Sequence, residues 1–275
     1  MSLIISIQSQ VVMGHVGNSA AVFPLLAAGH QVAAVPTVIL SNIPEYPTLR
    51  GRPLPEDFFA ELLQGLWDRE LPQRADFLLS GYLGTAGNAR LLADFVARAK
   101  AENPGLRYYC DPVLGDDDPG LYVPAEIAHI LRDRLLPLAD LASPNGFELA
   151  WLTGTPIRNL RDVDRAARQL QLAAGARLIV TGCTLADTAP GMIETLILDQ
   201  QGIIRHPAPR LPVALAGTGD LFAALVTASL AQGQDLNQAV AFAQAQTARA
   251  LAEGARLGQR EIALSDPQFR AALLG

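Results

Sequence analysis

The sequence predicts an α/β fold in which a mainly parallel β-sheet is covered by helices on both faces. Short apolar runs alternate along the chain with longer segments of helical periodicity, which is the order that parallel strands with crossover helices produce. The chain has 275 residues, and 50% of them are hydrophobic, so it can bury a substantial core. No internal repeat or linker divides the sequence, and we expect residues 1–275 to form one domain.

The first half of the chain alternates strands and helices. Pro36 interrupts the second strand, which favours an edge or bulged position over a central one. Residues 41–55 contain four prolines and predict a turn-rich loop. We predict strands at residues 3–7, 31–40, 77–80 and 107–110, and helices at residues 17–28, 56–67, 88–100 and 126–136.

The second half continues the alternation, with strands at residues 141–142, 178–180 and 195–198 and helices at residues 147–152, 163–174, 220–232 and 236–253. Sheets of this kind bind ligands beyond the carboxyl ends of their strands. Five predicted strands are followed by polar or glycine-rich groups: Ser9, Ser80-Gly81-Tyr82, Asp111-Pro112, Ser143-Pro144-Asn145 and Thr181-Gly182. We therefore expect a binding site at this rim of the sheet.

Composition narrows the class of protein. Charged residues make up 17% of the chain, which argues against disorder, and the formal net charge of -6 disfavours nucleic acid as a partner. Cys110 and Cys183 lack metal-ligand spacing and are expected to be free thiols in a reducing cytoplasm. No apolar run reaches the roughly 18 residues of a membrane helix, and the first residues lack the basic region of a signal peptide. We expect a cytoplasmic protein with no membrane partner.

The most informative motif is Gly217-Thr218-Gly219-Asp220, directly before an apolar helical run. A glycine turn that opens a helix directs unpaired N–H groups and the positive end of the helix dipole at one spot, which suits phosphate. A carboxylate there repels phosphate unless it accepts a proton from an alcohol that attacks phosphorus. The motif therefore predicts a kinase that acts on a small-molecule hydroxyl; the alternative is a glycine-rich turn with an acid near a helix N-terminus.

A second motif, Cys110-Asp111-Pro112-Val113-Leu114-Gly115-Asp116, places two carboxylates on one loop after a strand. Mg²⁺ usually keeps several waters and takes one or two carboxylates, so Asp111 or Asp116 could hold a magnesium–nucleotide complex. The alternative is an Asp-Pro turn followed by an exposed acidic stretch.

Three further segments have both a structural and a functional interpretation. Asn145 and Glu148 have the spacing of a helix capping box, and they could also reach nucleotide phosphate and metal-bound water. Thr181 is either a strand-end turn residue or a nucleotide contact. Residues 14–18 could bring backbone close to a substrate. The alternative is a plain turn into a helix with Asn18 near its cap, and for His15 this alternative is preferred.

Together these motifs resemble the ribokinase-like superfamily, and within it the pyridoxal kinases. The Gly-Thr-Gly-Asp motif marks the superfamily, whereas the opening motifs are specific to the pyridoxal kinase branch. The residues that carry the resemblance are Ser6-Ile7-Gln8-Ser9-Gln10-Val11-Val12, Gly14-His15-Val16-Gly17-Asn18, Ser41-Asn42, Ser80-Gly81-Tyr82-Leu83-Gly84, Asp111-Pro112-Val113-Leu114-Gly115-Asp116, Gly120-Leu121-Tyr122-Val123, Pro144-Asn145 with Glu148, Val180-Thr181 and Gly217-Thr218-Gly219-Asp220.

The resemblance implies a ribokinase-like three-layer α/β/α sandwich that phosphorylates the 5′-hydroxymethyl group of a vitamin B6 form with ATP and Mg²⁺, and K⁺ is a further candidate ion. It also implies that members are commonly homodimers. By the same resemblance Asp220 is the base, Gly217, Thr218 and Gly219 form the anion hole, Ser9 contacts the pyridine ring and Tyr82 lies near it. The implied ATP-facing residues are Asp111, Ser143, Asn145, Thr181 and Thr218, and the implied metal-surrounding residues are Asp116, Tyr122 and Glu148.

The chain departs from the family pattern after Ser41-Asn42, where Ile43-Pro44-Glu45-Tyr46 replaces the usual His or Gln with a neighbouring Thr or Pro. Glu45 puts a negative charge where a neutral or cationic ring contact is expected, so it is a candidate substrate-binding residue that favours pyridoxamine. Two alternatives stay open: a kinase of another hydroxymethyl heterocycle such as hydroxymethylpyrimidine, and a non-catalytic B6-binding protein.

Overall fold

A nine-stranded sheet organises the molecule. The computed structural model describes residues 1–118, 120–199 and 201–274. The strands in the described residues are β1 (Leu3–Val11), β2 (Gln31–Leu40), β3 (Gly51–Pro53), β4 (Phe77–Ser80), β5 (Arg107–Cys110), β6 (Gly115–Asp116), β7 (Gly120–Leu121), β8 (Leu141–Ala142), β9 (Arg177–Cys183), β10 (Met192–Asp199) and β11 (Gly202–Pro209). The sheet order is β11-β10-β9-β8-β5-β4-β1-β2-β3, and β6 pairs with β7 in a hairpin of its own.

The centre of this sheet is parallel. Strands β2, β1, β4, β5, β8 and β9 pair in parallel, whereas β10 and β11 at one end and β3 at the other are antiparallel. The predicted mainly parallel sheet is therefore confirmed. The carboxyl ends of the parallel strands meet at one rim, as a ligand site requires.

Helices cover both faces of the sheet. They are α1 (Asn18–Ala27), α2 (Glu56–Trp67), α3 (Leu71–Arg74), α4 (Ala86–Glu102), α5 (Ala125–Ile130), α6 (Gly146–Thr153), α7 (Leu160–Gln169), α8 (Thr218–Ala231), α9 (Leu236–Arg256) and α10 (Pro267–Leu274). Successive strand side chains point to opposite faces. Ile5 and Leu78 accordingly pack in one core with α2, α4 and α6, whereas Ile4 and Leu79 pack in a second core with α1, α8 and α9.

Most predicted elements are present, and five have the predicted bounds: β2, β4, β5, β8 and α2. Pro36 lies opposite Gln8, where the register between β1 and β2 shifts, so the predicted bulge is confirmed. The predicted helix at residues 126–136 is α5 followed by a π-helical turn, Leu131–Leu135. The predicted helix at residues 163–174 begins earlier, at Leu160, because Asn159 accepts hydrogen bonds from the first backbone N–H groups.

Six elements of the described residues were not predicted: β3, β6, β7, β11, α3 and α10. Strand β11 contains Pro207 and Pro209, which a central strand would exclude but an edge strand tolerates. The final helix α10 lies beyond the last predicted helix and packs Phe269 into the core with α1 and α9. Among the helices that the structure describes, none combines the length and apolar character needed to cross a bilayer.

Candidate active site

The Gly-Thr-Gly-Asp motif forms the turn into α8. Gly217 is the N-cap residue with φ +87°, a left-handed conformation that glycine adopts without strain, and Thr218 is the first helical residue. Within the described residues no side chain caps this helix, so its first N–H groups remain available to an anion. A Cβ on Gly217 would overlap the carbonyl oxygen of His15, so the turn packs directly on the loop that follows β1.

Asp220 lies in the first turn of α8, beside these N–H groups, and its side chain is partly exposed. Burial raises the pKa of Asp220, and a hydrogen bond from the backbone of Gly17 acts in the opposite direction. A carboxylate whose pKa is raised is a better proton acceptor than a free one, which suits a general base. The geometry thus agrees with the role that the resemblance assigns to this residue, and the role stays a prediction.

Asp111 faces the same turn from the end of β5. Its Oδ1 accepts a 2.8 Å hydrogen bond from Ser143, and a Cβ on Gly219 would lie 3.8 Å from its Oδ2. Burial and the charge of Asp220 raise the pKa of Asp111 to about 7, and the Ser143 hydrogen bond opposes that change. Asp111, Ser143, Gly219 and Asp220 therefore lie together, and two of them carry charges of the same sign.

Asn145 and Glu148 form the predicted capping box at the start of α6. Asn145 Oδ1 accepts from the Glu148 N–H at 2.8 Å, and Glu148 Oε2 accepts from the Asn145 N–H at 2.8 Å. Both residues also reach outside the helix, since Leu114 N–H donates to Glu148 Oε1 at 2.8 Å and Asn145 Nδ2 donates to the Gly115 carbonyl at 2.9 Å. The box thus fixes the loop after β5 to α6, and Asn145 pairs with Thr181 of β9.

Glu148 and Tyr122 belong to a group of acidic and phenolic oxygens at the rim. Glu148 is 4% exposed, and burial and the charge of Asp111 raise its pKa. Partial burial and the negative charges of Glu148, Asp111, Asp220 and Asp116 raise the pKa of Tyr122. Asp116 itself is exposed and accepts a 2.8 Å hydrogen bond from the Asp117 N–H.

These oxygens do not form a preorganised metal cage. Within the described ranges, no three of the residue types His, Cys, Asp and Glu are grouped closely enough to hold an ion. Mg²⁺ keeps most of its waters and needs only one or two carboxylates, so an oxygen-only set of this kind fits it. The metal roles of Asp116, Tyr122 and Glu148 therefore stay predictions.

The predicted substrate contacts lie on the β1 side of the rim. Ser9 is 7% exposed and packs under Gly17, where a Cβ would overlap its carbonyl and hydroxyl oxygens. The Tyr82 carbonyl accepts a 2.6 Å hydrogen bond from Thr37, and its side chain packs partly buried on the core. Glu45 is exposed on the loop between β2 and β3, and in the described residues its carboxylate forms no hydrogen bond.

A buried polar network under the rim was not predicted. The Ser6 hydroxyl donates to Asn18 Oδ1 at 2.7 Å, and Gln8 Nε2 donates to Ser6 at 3.0 Å. Asn18 Nδ2 donates to the carbonyl oxygens of Gln8 and Val35, so Asn18 is not the helix cap that its position suggested. The polar residues at positions 6, 8, 9 and 10 of β1 were the available signal.

The Asp111→Asn substitution is expected to stabilise the ligand-free protein above pH 7. Because the pKa of Asp111 rises from 3.8 to about 7, the folded state binds more protons than the unfolded state between these values, and stability falls as the pH rises. Asparagine keeps the Ser143 contact and removes the repulsion with Asp220. We expect a melting temperature at pH 8 higher by at least about 2 °C, since 1 kcal/mol corresponds to roughly 2–4 °C.

Thermal unfolding at pH 6 and pH 8, without nucleotide or Mg²⁺, measures this effect. The gain from the substitution should shrink at pH 6, where the wild-type carboxyl is mostly protonated. A variant that melts below the wild type at both pH values would show that the charge of Asp111 is not a destabilising feature of the site.

An acid with a raised pKa beside an uncapped helix N-terminus, at the rim of a parallel sheet, agrees with the predicted small-molecule kinase. A family model described as phosphomethylpyrimidine kinase matches residues 74–265. The pyridoxine/pyridoxal/pyridoxamine kinase of Bordetella avium is 43% identical over 252 residues, covering 90% of this chain and 84% of that protein. The pyridoxal kinase of Leifsonia xyli is 38% identical over 265 residues, covering 96% of this chain and 94% of that protein.

Solved structures agree with the sequence relatives. The pyridoxal kinase of Leishmania donovani, in complex with ADP and pyridoxamine, has a TM-score of 0.88 at 29% identity and covers 98% of this chain and 95% of its own. The chain therefore belongs to the family of phosphomethylpyrimidine and pyridoxal kinases, and its fold is ribokinase-like.

Proposed function

We propose that this chain transfers the γ-phosphoryl group of ATP to the 5′-hydroxymethyl group of pyridoxal, pyridoxine or pyridoxamine. The observation that carries the proposal is Asp220, held in the first turn of α8 beside the uncapped N–H groups of residues 217–219. The relatives named for these three vitamers, and the related structure with ADP and pyridoxamine, support the substrate and the nucleotide.

Phosphoryl transfer needs positioning and charge stabilisation more than covalent chemistry. The backbone N–H groups of Gly217, Thr218 and Gly219 would bind the γ-phosphoryl oxygens as negative charge shifts onto them in the transition state. Asp220 would accept the hydroxyl proton late, once bond formation to phosphorus has made the alcohol acidic.

In this proposal the nucleotide lies against the loop after β5 and the start of α6, which the capping-box residues connect. Asp111, Ser143, Asn145, Thr181 and Thr218 face it. A magnesium ion bound to the nucleotide would sit among Asp116, Tyr122 and Glu148, directly or through water, and would supply charge neutralisation. The convergence of acidic side chains with raised pKa values supports a cation there, and K⁺ is a second candidate ion.

Ser9 and Tyr82 would hold the pyridine ring. The loop at residues 41–55 would close over it and exclude water, which limits wasteful hydrolysis of ATP. Asn42 keeps this loop compact, since its Nδ2 donates to the carbonyl oxygens of Ile43 at 2.9 Å and Thr48 at 2.8 Å. Glu45 lies three residues after Asn42, so the Glu45 carboxylate would move with this loop when the loop closes.

Glu45→Gln is expected to lower the preference for pyridoxamine over pyridoxal. A carboxylate near the bound ring attracts an amine and not an aldehyde, and glutamine removes that charge without changing size. The measurement is kcat/KM for the two vitamers in the wild type and the variant. Asp57→Asn, an exposed acid at the start of α2, is the control; equal preference ratios in all three proteins would exclude a role of Glu45 in choosing the vitamer.

The second candidate function is phosphorylation of hydroxymethylpyrimidine, which the description of the matching family model favours. Turnover of pyridoxal, pyridoxine, pyridoxamine and hydroxymethylpyrimidine, side by side with ATP and Mg²⁺, separates the two candidates. Faster turnover of a B6 vitamer supports our proposal, whereas faster turnover of the pyrimidine supports the second. Tight pyridoxal binding with no turnover would instead support a non-catalytic carrier.

We also propose that residues 1–275 act as one kinase domain in the cytoplasm, as a homodimer. Exposed apolar side chains beside the end of β1 support the dimer: Val12, Met13, Ile39 and Leu49. They lie close together because the Val12 and Met13 N–H groups bond to the carbonyl oxygens of Leu40 and Ser41, and the Ser41 N–H bonds to the carbonyl oxygen of Arg50 beside Leu49. Sedimentation at micromolar concentration tests the assembly, and a monomer there would contradict it.

A further inference from the structure

Glu261, which lies after α9, is a buried acid that the proposed reaction does not use. It is 4% exposed, and its main chain is paired with Ala216, the residue before Gly217. The Ala216 N–H donates to the Arg260 carbonyl at 3.0 Å, and the Ile262 N–H donates to the Ala216 carbonyl at 3.1 Å. The position of Glu261 is therefore fixed relative to the phosphate-binding turn.

The Glu261 carboxylate reaches two loops of the site. Its Oε1 accepts a hydrogen bond from the Tyr46 hydroxyl at 3.5 Å, and a Cβ on Gly14 would lie only 2.8 Å from its Oε2. Oε2 is buried, and in the described residues it has no hydrogen-bond partner; the same is true of His15 Nδ1. Burial raises the pKa of Glu261, and the nearby His15 and the Tyr46 hydrogen bond oppose that change.

A second contact joins the same two segments. The Arg260 guanidinium donates to the carbonyl oxygen of Glu45, one residue before Tyr46. Residues 260–261 thus hold the loop between β2 and β3 at two adjacent points, one through its main chain and one through a side chain. The long Tyr46–Glu261 distance leaves room for this contact to shorten when a substrate binds.

We propose that Glu261 is a positioning residue: it holds the loop between β2 and β3 (residues 41–50), through Tyr46, against the phosphate-binding turn to which its own main chain is paired. This inference rests on the proposed function. When the loop closes, Glu261 Oε2 and His15 Nδ1, which have no partner in the described residues, pair with each other and link Glu261 to the loop after β1 as well. Closure of the loop and placement of the N–H groups at residues 217–219 are then coupled through one side chain.

Tyr46→Phe and Glu261→Ala are the test variants. Each is expected to raise KM for pyridoxal about three- to tenfold, the range for loss of one hydrogen bond, with KM for ATP unchanged. Each should also increase ATP hydrolysis that yields no phosphorylated vitamer, because the loop no longer excludes water. Glu261→Gln keeps an acceptor for Tyr46 and should restore most of the KM.

The double variant Tyr46→Phe/Glu261→Ala should be no worse than Glu261→Ala alone, because both changes remove the same contact. Glu126→Ala is the control, since this exposed glutamate on α5 pairs only with Arg90 among the described residues. If Glu261→Ala does not fold, as judged by thermal unfolding, Tyr46→Phe and Glu261→Gln decide the matter.

The inference would be overturned by additive effects of the two substitutions on KM for pyridoxal, by an equal rise in KM for ATP, or by unchanged kinetics in Tyr46→Phe. If the wild type still phosphorylates a vitamer, the proposed function stays intact in each of these cases. Absence of vitamer turnover in the wild type would contradict the proposed function, and the inference would fall with it.

Discussion

Asp220→Asn is expected to retain ATP binding and to lose at least about a hundredfold in turnover, the lower range for a general acid–base group. Asparagine has the size of aspartate and can still accept the backbone hydrogen bond from Gly17 that acts on this side chain. It cannot take the proton of the substrate hydroxyl. The measurement is kcat with saturating pyridoxal and ATP, together with the equilibrium affinity for ATP.

Asp164→Asn provides the matched control for Asp220→Asn. Asp164 is an acid on α7 whose exposed side chain pairs with Arg168 four residues further along the helix. Its substitution should leave turnover unchanged. Turnover of Asp220→Asn close to that of the control would refute the assignment of the base, and loss of ATP affinity in the same variant would indicate a binding role instead.

Gly217→Ala is expected to reduce turnover by about a hundredfold, the size of effect that loss of an oxyanion-hole donor has in other enzymes. The φ of +87° disfavours any side chain, and the new Cβ would overlap the His15 carbonyl oxygen. Because that oxygen belongs to the main chain, the turn itself has to move. The N–H groups that bind the transferred phosphoryl group would move with it.

The same helix offers a control for Gly217→Ala. Gly233 follows α8 with a φ of +88°, and nothing lies within 4 Å of a Cβ built on it. Gly233→Ala therefore carries the backbone strain without the overlap, and should lower stability slightly with turnover unchanged. If both variants lose activity equally, strain in α8 and not displacement of the phosphate-binding turn would explain the loss.

The parallel sheet and its rim could be predicted from the sequence because their determinants are local. Apolar runs of three residues, at 77–79 in β4 and 108–110 in β5, specify buried strands, and the polar groups after them mark the rim. The Gly-Thr-Gly-Asp turn and the capping box of Asn145 and Glu148 are likewise encoded within four residues each. The resemblance to a known family then added the roles of individual residues.

The features that could not be predicted depend on contacts between distant parts of the chain. Tyr46 and Glu261 are separated by 215 positions, and only the folded chain brings them together. Asn18 sits where a helix cap is expected, yet its side chain turns inward to Ser6 because the buried carbonyl oxygens of β1 and β2 need donors. The repulsion between Asp111 and Asp220, which raises the pKa of Asp111, likewise depends on how the chain packs and not on the spacing of the two residues in the sequence.

The most direct test of the central claim is the ratio of ADP formed to vitamer phosphorylated on its 5′-oxygen, with pyridoxal as substrate and NMR of the purified product to locate the phosphate. We predict one phosphorylated 5′-oxygen for each ADP, because Asp220 and residues 217–219 direct the γ-phosphoryl group to that hydroxyl. ADP formed without phosphorylated pyridoxal, or a phosphate attached to a different oxygen, would contradict the account.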